Sequence, residues 1–308
     1  MRNPFAVFGP SAGLNNIADP LNLKAEERQK CLDVDIDKYG GEHRRQHGST
    51  LLLSGAYKSV WSNGRICLAV YSGDLVRIDD DFGGHTVLRA DVGPNPMCFE
   101  DCAGTGIVYY SNNYVIGYIL GGVSYTMDST TVPDRVDTFP GHLIAYFALR
   151  LWIAVGNVIW FTDPSPKFYF NSINKSENFI VRKGPIALMK PVEDGLFIAD
   201  GSTWYMPGTN PKKPIAPMQF ICDYDAIPGA VSQYPIDMEI MSEDGSATSG
   251  KAIIWESTKG LRYGMKGGLS GNLTRKRFAQ PENITRGAVL HRNSDDGFNQ
   301  LLCTMQSI

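Results

Sequence analysis

Asp33, Asp35 and Asp37 stand at alternate positions, the spacing of the first three oxygen ligands of an EF-hand calcium loop. The loop chemistry fails further on. The sixth position, where the chain needs glycine for a sharp turn, is Lys38, and the twelfth, where a bidentate glutamate belongs, is Arg44. The better reading is an exposed strand face whose carboxylates meet Arg44 and Arg45 across a turn. His43 and His47 have the spacing of two zinc ligands on one helical turn, but Gly40, Gly41 and Gly48 argue against a helix, and no third ligand is evident. Cys98 and Cys102 form the only close cysteine pair, and no second pair completes a zinc site. No metal and no cofactor is expected.

Acid–base chemistry on a glycan would need two carboxylates facing one pocket. Asp79, Asp80, Asp81, Glu100 and Asp101 are the candidates, and all five sit in turn-like contexts. Gly268-Leu269-Ser270-Gly271 lacks the strand–elbow–helix setting of a nucleophile. An enzyme is therefore not expected. Tyr109, Tyr110, Tyr114, Tyr118, Trp152, Trp160 and Phe161 could stack on sugars, yet they alternate along apolar strands, where core packing is the stronger reading. Arg275-Lys276-Arg277 lies in an alternating stretch and reads as a solvated strand face rather than a phosphate site.

The elements that would carry these residues are short strands in a recurring module of about 40–50 residues. Three copies show it best, within 57–92, 142–170 and 186–205. Asn63-Gly64, Ser72-Gly73, Gly156-Asn157, Asp194-Gly195 and Asp200-Gly201 supply tight turns, because these residues accept positive φ at low cost. The pattern predicts an all-β chain, a β-propeller-like domain over 51–308 with about six short-strand blades. Hairpin-rich segments run roughly over 57–93, 96–140, 142–183, 185–230 and 236–280. A last hairpin turns at Asp295-Asp296-Gly297 and could pair with the strand around Asp33–Asp37 to close the ring. Residues 1–50 form an extended N-terminal arm and ring-closing strand, with one or two helical turns possible in "LNLKAEERQ". Residues 207–217 read as a long Pro-rich loop, 243–251 as a flexible tip, and 264–272 as similarly loose.

Composition narrows the class further. The 308 residues are 43% hydrophobic and carry a formal net charge of −3, which gives no electrostatic footprint for nucleic acid. Six irregularly spaced cysteines read as free thiols in a protein made in a reducing cytoplasm. Residues four apart on one strand stand roughly 13 Å apart, too far for a Cys98–Cys102 bridge. No secretory leader and no run of about 18 apolar residues is evident.

The segment "GLNNIADPLNL…CLDVDIDKYGGEHRRQHGSTLLLSG" resembles the opening of virion proteins from tailed bacteriophages, in which a G-x-N-N segment precedes "NVDID-x-x-G-x-x-x-RR-x-G" and propeller-like repeats. The matching residues are Gly13, Asn15, Asn16, Asp33, Asp35, Asp37, Gly41, Arg44, Arg45 and Gly48. "RGAVLHRNSDDGFNQLLCT" is similar to the close of such proteins. The resemblance implies a structural subunit of a phage tail, tail tip or baseplate, located in the virion and assembled as a cyclic homo-oligomer against other tail proteins. Asn15, Asn16, Asp33, Asp35, Asp37, Arg44 and Arg45 are the expected assembly contacts. Removing residues 1–30 should leave a soluble propeller that fails to enter virions. Nucleic acid is not an expected partner; a host surface receptor is a possible one. The alternatives are a receptor- or glycan-binding module at the tail tip and a glycan-cleaving propeller.

Overall fold

Second strands explain why the chain folds as it does. Ile107–Ser111 and Gly195–Ala199 are buried at every position, an unbroken apolar run that only a strand covered on both faces accommodates. Such strands must lie inside a sheet that is itself sandwiched between sheets, the arrangement of a propeller blade. The computed structural model describes residues 13–14, 27–28, 34–36, 43–45, 52–102, 104–127, 135–164, 172–174, 176–212, 215–241, 247–274, 283–293 and 299–307.

Five antiparallel sheets follow one another. Blade 1 is built from Lys58–Ser62, Cys67–Tyr71, Asp74–Ile78 and His85–Arg89, paired in chain order. Blade 2 holds Cys98–Cys102, Ile107–Ser111, Ile116–Leu120 and Val123–Thr126. Blade 3 holds Leu143–Phe147, Arg150–Val155, Val158–Phe161 and Phe179–Val181. Blade 4 holds Leu188–Val192, Gly195–Ala199, Thr203–Pro207 and Gln219–Cys222. Blade 5 holds Ala226–Val231, Ala247–Ser257, Gly260–Gly264 and Ser270–Asn272, with Ile236–Met241 paired to the far half of its long strand. A hairpin of Ile284–Asn293 and Asn299–Ser307 follows, its first strand beside Ala226–Val231. The protein is an all-β propeller.

First strands of successive blades lie side by side, Cys98–Cys102 against Leu143–Phe147 and Leu143–Phe147 against Leu188–Val192. Pro191 is tolerated in the latter because a first strand is a sheet edge. Trp61 of blade 1 packs against Phe99 of blade 2 and against Tyr234, which follows the first strand of blade 5. Interblade clusters repeat this pattern, as where Trp152 and Phe161 of blade 3 share one core with Met189, Leu196 and Met206 of blade 4. Polar ties join successive blades: Ser111 Oγ donates to Gly141 O at 2.7 Å, and His142 Nε2 meets Ile186 O at 2.7 Å.

The turns follow their chemistry. Ser72 and Gly73 both take positive φ, 51° and 90°, between paired Tyr71 and Asp74, the backbone that matches strand twist. One turn is shifted by a residue: Val192 pairs with Gly195, so the loop is Glu193-Asp194, and Gly195 lies in the strand under the Tyr205 ring, where a Cβ has no room. Asp194 then works across blades. It accepts Tyr205 Oη at 2.7 Å and, from the blade 5 turn, Gly267 N at 2.9 Å. Asp194→Ala should cost about 1 kcal/mol, a modest figure because the aspartate is exposed and water can replace it, and urea denaturation would measure it.

Several expectations need correction. Ala226–Val231 belongs to blade 5, not to the 185–230 segment, because Ala226 pairs with Ser257 and Val231 with Trp255. Ala247–Lys251 is strand rather than flexible tip, continuing the ladder from Met241↔Ala247 to Asp237↔Lys251. The 264–272 stretch is ordered by a 3-10 turn, Lys266–Gly268, and a short strand, Ser270–Asn272. Glu27–Arg28, read as helix-compatible, pairs in parallel with Gly13–Leu14, and the remainder of that segment lies outside the described residues. The Pro-rich loop is tied down: Lys212 Nζ lies 2.9 Å from Glu177 and 3.8 Å from Asp163 of blade 3. The C-terminal hairpin forms with Asn293 opposite Asn299, and no ladder among the described residues joins it to the N-terminal hairpin.

Candidate functional site

The Asp/Arg segment is a hairpin of Val34–Ile36 and His43–Arg45, with Asp35 opposite Arg44 and Val34 opposite Arg45. The register sets one carboxylate residue, Asp35, opposite an arginine, while Arg45 stands opposite Val34. His43 is on a strand, so the one-turn helical spacing to His47 does not apply; His47 itself lies outside the described residues. Asn15, Asn16, Asp33 and Asp37 also lie outside them, as do Arg275, Lys276 and Arg277. Among the described residues no three His, Cys, Asp or Glu side chains gather as a metal site, and no helix is long and apolar enough to cross a membrane. Cys67, Cys98, Cys102, Cys222 and Cys303 are free thiols.

Of the aromatic residues, Tyr109, Tyr110, Tyr118, Trp152 and Phe161 are core, and Trp160 is partly buried, as packing between blades predicts. Tyr114 departs from this, being 56% exposed on a turn.

Among the carboxylates, Asp79 and Asp81 serve turns, accepting Thr86 Oγ1 at 3.2 Å and Gly83 N at 2.8 Å. Glu100 and Asp101 do not sit in a turn but on the first strand of blade 2, because Cys98–Cys102 pairs throughout with Ile107–Ser111. Adjacent strand residues point to opposite faces, and that parts their roles. Glu100 is buried and accepts Lys190 Nζ at 2.7 Å. Asp101 lines an open cleft between blades 1 and 2.

That cleft, about 540 Å³, gathers charged and polar residues from blades 1, 2 and 5. Arg65 enters from the first turn of blade 1, Arg77 from its third strand and Asp80 from the loop that follows. Asp101, Val108 and Ile119 come from blade 2, and Tyr234 from the blade 5 side. Asn63 Nδ2 donates to Asp101 Oδ2 at 3.2 Å and bridges the two blades at the cleft. The Asn63 Oδ1 atom accepts Arg65 N and Ile66 N, each at 3.0 Å, and so fixes the turn that presents Arg65. Arg77 Nε and Tyr234 Oη are buried and have no hydrogen-bond partner. Burial, then the neighbouring Asp101 and Glu100, push the Tyr234 phenol up, so it stays a neutral donor. The rim is glycine: a Cβ on Gly104, Gly106 or Gly121 would meet nothing within 4 Å. Sequence reading named Asp80 and Asp101 among candidate paired carboxylates and set them aside as turn-like; nothing local to them signalled that the fold would bring both to one cleft with two arginines.

No protein-family model and no curated protein sequence matches the chain. Solved structures similar to it include the BBS1 N-terminal domain crystallised with ARL6, 12% identical over 78% of this chain and 71% of that one, with a TM-score of 0.48. The WD40 domain of Neurospora crassa Pan2 is 10% identical over 76% of this chain and 68% of its own, with a TM-score of 0.38. The WD40 β-propeller domain of Doa1 is 9% identical over 80% and 92%, with a TM-score of 0.39. These likenesses concern the fold alone.

Proposed function

We propose that the chain is a structural subunit of the tail, tail tip or baseplate of a tailed bacteriophage, made in the host cytoplasm and built into the virion. Copies would form a ring of cyclic symmetry, each meeting the next and other tail proteins through repeated patches. The observation that carries this reading is the rim of the propeller. The outermost strand of each of blades 1–4 exposes large apolar side chains: Val87 at 50%, Val123 at 51%, Val181 at 59% and Phe220 at 57%. Open strand edges bearing apolar residues are an association liability in a free monomer and suit a subunit that is covered on assembly. The Asp35/Arg44 hairpin, outside the blade ladders, offers the second contact. No catalytic step is part of this reading, and Asn15, Asn16, Asp33 and Asp37 join the hairpin in it as assembly contacts.

Cryo-electron microscopy of the intact particle tests it. Density for this chain is expected in a closed ring on the tail, with the blade rim and residues 1–50 against neighbours. Absence of the chain from the particle would overturn it. Charge reversal of both Arg44→Glu and Arg45→Glu in the full chain should leave the melting temperature unchanged while the variant fails to appear in purified virions by mass spectrometry.

The receptor- or glycan-binding alternative draws support from one observation, the cleft between blades 1 and 2. The glycan-cleaving alternative draws on Asp80 and Asp101, two carboxylates that line the same cleft.

A further inference from the structure

We infer that the cleft between blades 1 and 2 binds a saccharide unit bearing a carboxylate, of the uronic- or sialic-acid kind. The argument starts from Arg77. It lines the cleft from the third strand of blade 1. Arg65 stands on the same cleft, exposed and with its turn already fixed, so two guanidinium groups are available to one anionic group. A carboxylate matches the planar fork of a guanidinium.

Asp80 and Asp101 decide what else the ligand must carry. Both line the cleft, and their charge disfavours a dianion such as phosphate while offering acceptors for hydroxyl groups. A singly charged ring with neighbouring hydroxyls satisfies both halves of the site at once. Tyr234 closes the cleft from the blade 5 side. Val108 and Ile119 supply an apolar wall, and the glycine rim leaves only backbone where a pyranose ring would pass. A cleft of about 540 Å³ has room for one or two sugar units.

This inference is independent of the assembly role: a chain that fails to enter virions could still bind the sugar, and a chain built into virions could fail to bind it. The test is isothermal titration calorimetry on the full purified chain, with glucuronic acid, N-acetylneuraminic acid, glucose and inorganic phosphate as probes. Saturable binding is expected for at least one of the two acids and not for glucose or phosphate. Arg77→Gln should weaken it at least about tenfold, the loss of a charge-assisted pair. Arg65→Gln, at an exposed turn held by backbone hydrogen bonds to Asn63, should weaken it in the same direction and guards against misfolding of the first variant. Lys183→Gln, exposed between blades 3 and 4, neither of which lines the cleft, should leave it unchanged. Absence of binding by both acids, equal binding of phosphate or glucose, or affinity unaffected by both arginine changes would each overturn the inference.

Discussion

Asp200→Ala is expected to lower the unfolding free energy by about 3–5 kcal/mol, the range for stranding one member of a buried ion pair. Asp200 directly follows the second strand of blade 4 and its side chain is only 2% exposed. Its carboxylate gathers three donors from two blades. Arg182 Nε approaches at 2.9 Å, Lys183 N at 3.2 Å and, on the other oxygen, Trp204 Nε1 at 3.1 Å. The Arg182 guanidinium lies 5.0 Å from the centroid of the Trp204 ring, so it cannot swing into water without abandoning that face. Truncating Asp200 therefore leaves a cation enclosed by an indole and the Met218 thioether, which Arg182 Nη1 meets at 3.2 Å. The midpoint of thermal unfolding should fall by on the order of 10 °C. Asp200→Asn keeps an acceptor oxygen and should cost less. Pairing Asp200→Ala with Arg182→Leu should recover part of the loss, because the orphaned charge goes with the arginine. A cost below about 1 kcal/mol for Asp200→Ala would mean that Arg182 relaxes to solvent and that the pair behaves as a surface contact.

The same residue shows what the sequence makes legible. Asp200-Gly201 reads as a tight turn, and Gly201 does take positive φ, 98°. Turns such as this one and Ser72-Gly73 are decided within four residues, so their signal survives in the sequence alone. The blades they punctuate follow. What the turn reading misses is that the aspartate is also the anchor of Arg182, eighteen residues upstream and in another blade. Blade limits fail for a related reason. Pro228 and Gly229 inside Ala226–Val231 look like a break, yet a first strand tolerates both at an irregular point in its pairing with Ala247–Ser257. The cleft is the extreme case. Arg65, Arg77 and Asp80 come from blade 1, Asp101 from blade 2 and Tyr234 from the blade 5 side, and no local spacing relates these three groups. Chemistry assembled across blades is set by ring closure, which short-range pattern does not encode.

Ring closure also makes the second large effect predictable. Lys190→Met should destabilise the protein by about 3–5 kcal/mol, while Lys190→Met combined with Glu100→Leu should come within about 1 kcal/mol of the parent or exceed it. Glu100 stands on the first strand of blade 2 and Lys190 on the first strand of blade 4, both 8% exposed. Their 2.7 Å contact therefore crosses over blade 3, whose first strand lies beside both of theirs. Desolvation alone would push the Lys190 ammonium down; Glu100 and the neighbouring Cys98 outweigh it and hold the group above its ordinary value. A base held above its unfolded value adds stability that is complete below that value and disappears as pH rises through the folded one. The advantage of the parent over a Lys190→Met, Glu100→Gln double variant should then be flat across neutral pH and begin to shrink only above 10.5. Urea denaturation of both proteins at stepped pH measures this. An advantage that shrinks well below that value would place the ammonium in a site where desolvation dominates. Neutralising one partner leaves the other buried with no compensating charge, whereas removing both trades a desolvated pair for apolar packing between first strands. The ion pair is thus an energetic compromise, and what it adds over a hydrophobic pair is directional: a 2.7 Å contact that ties the first strand of blade 2 to the first strand of blade 4 across blade 3.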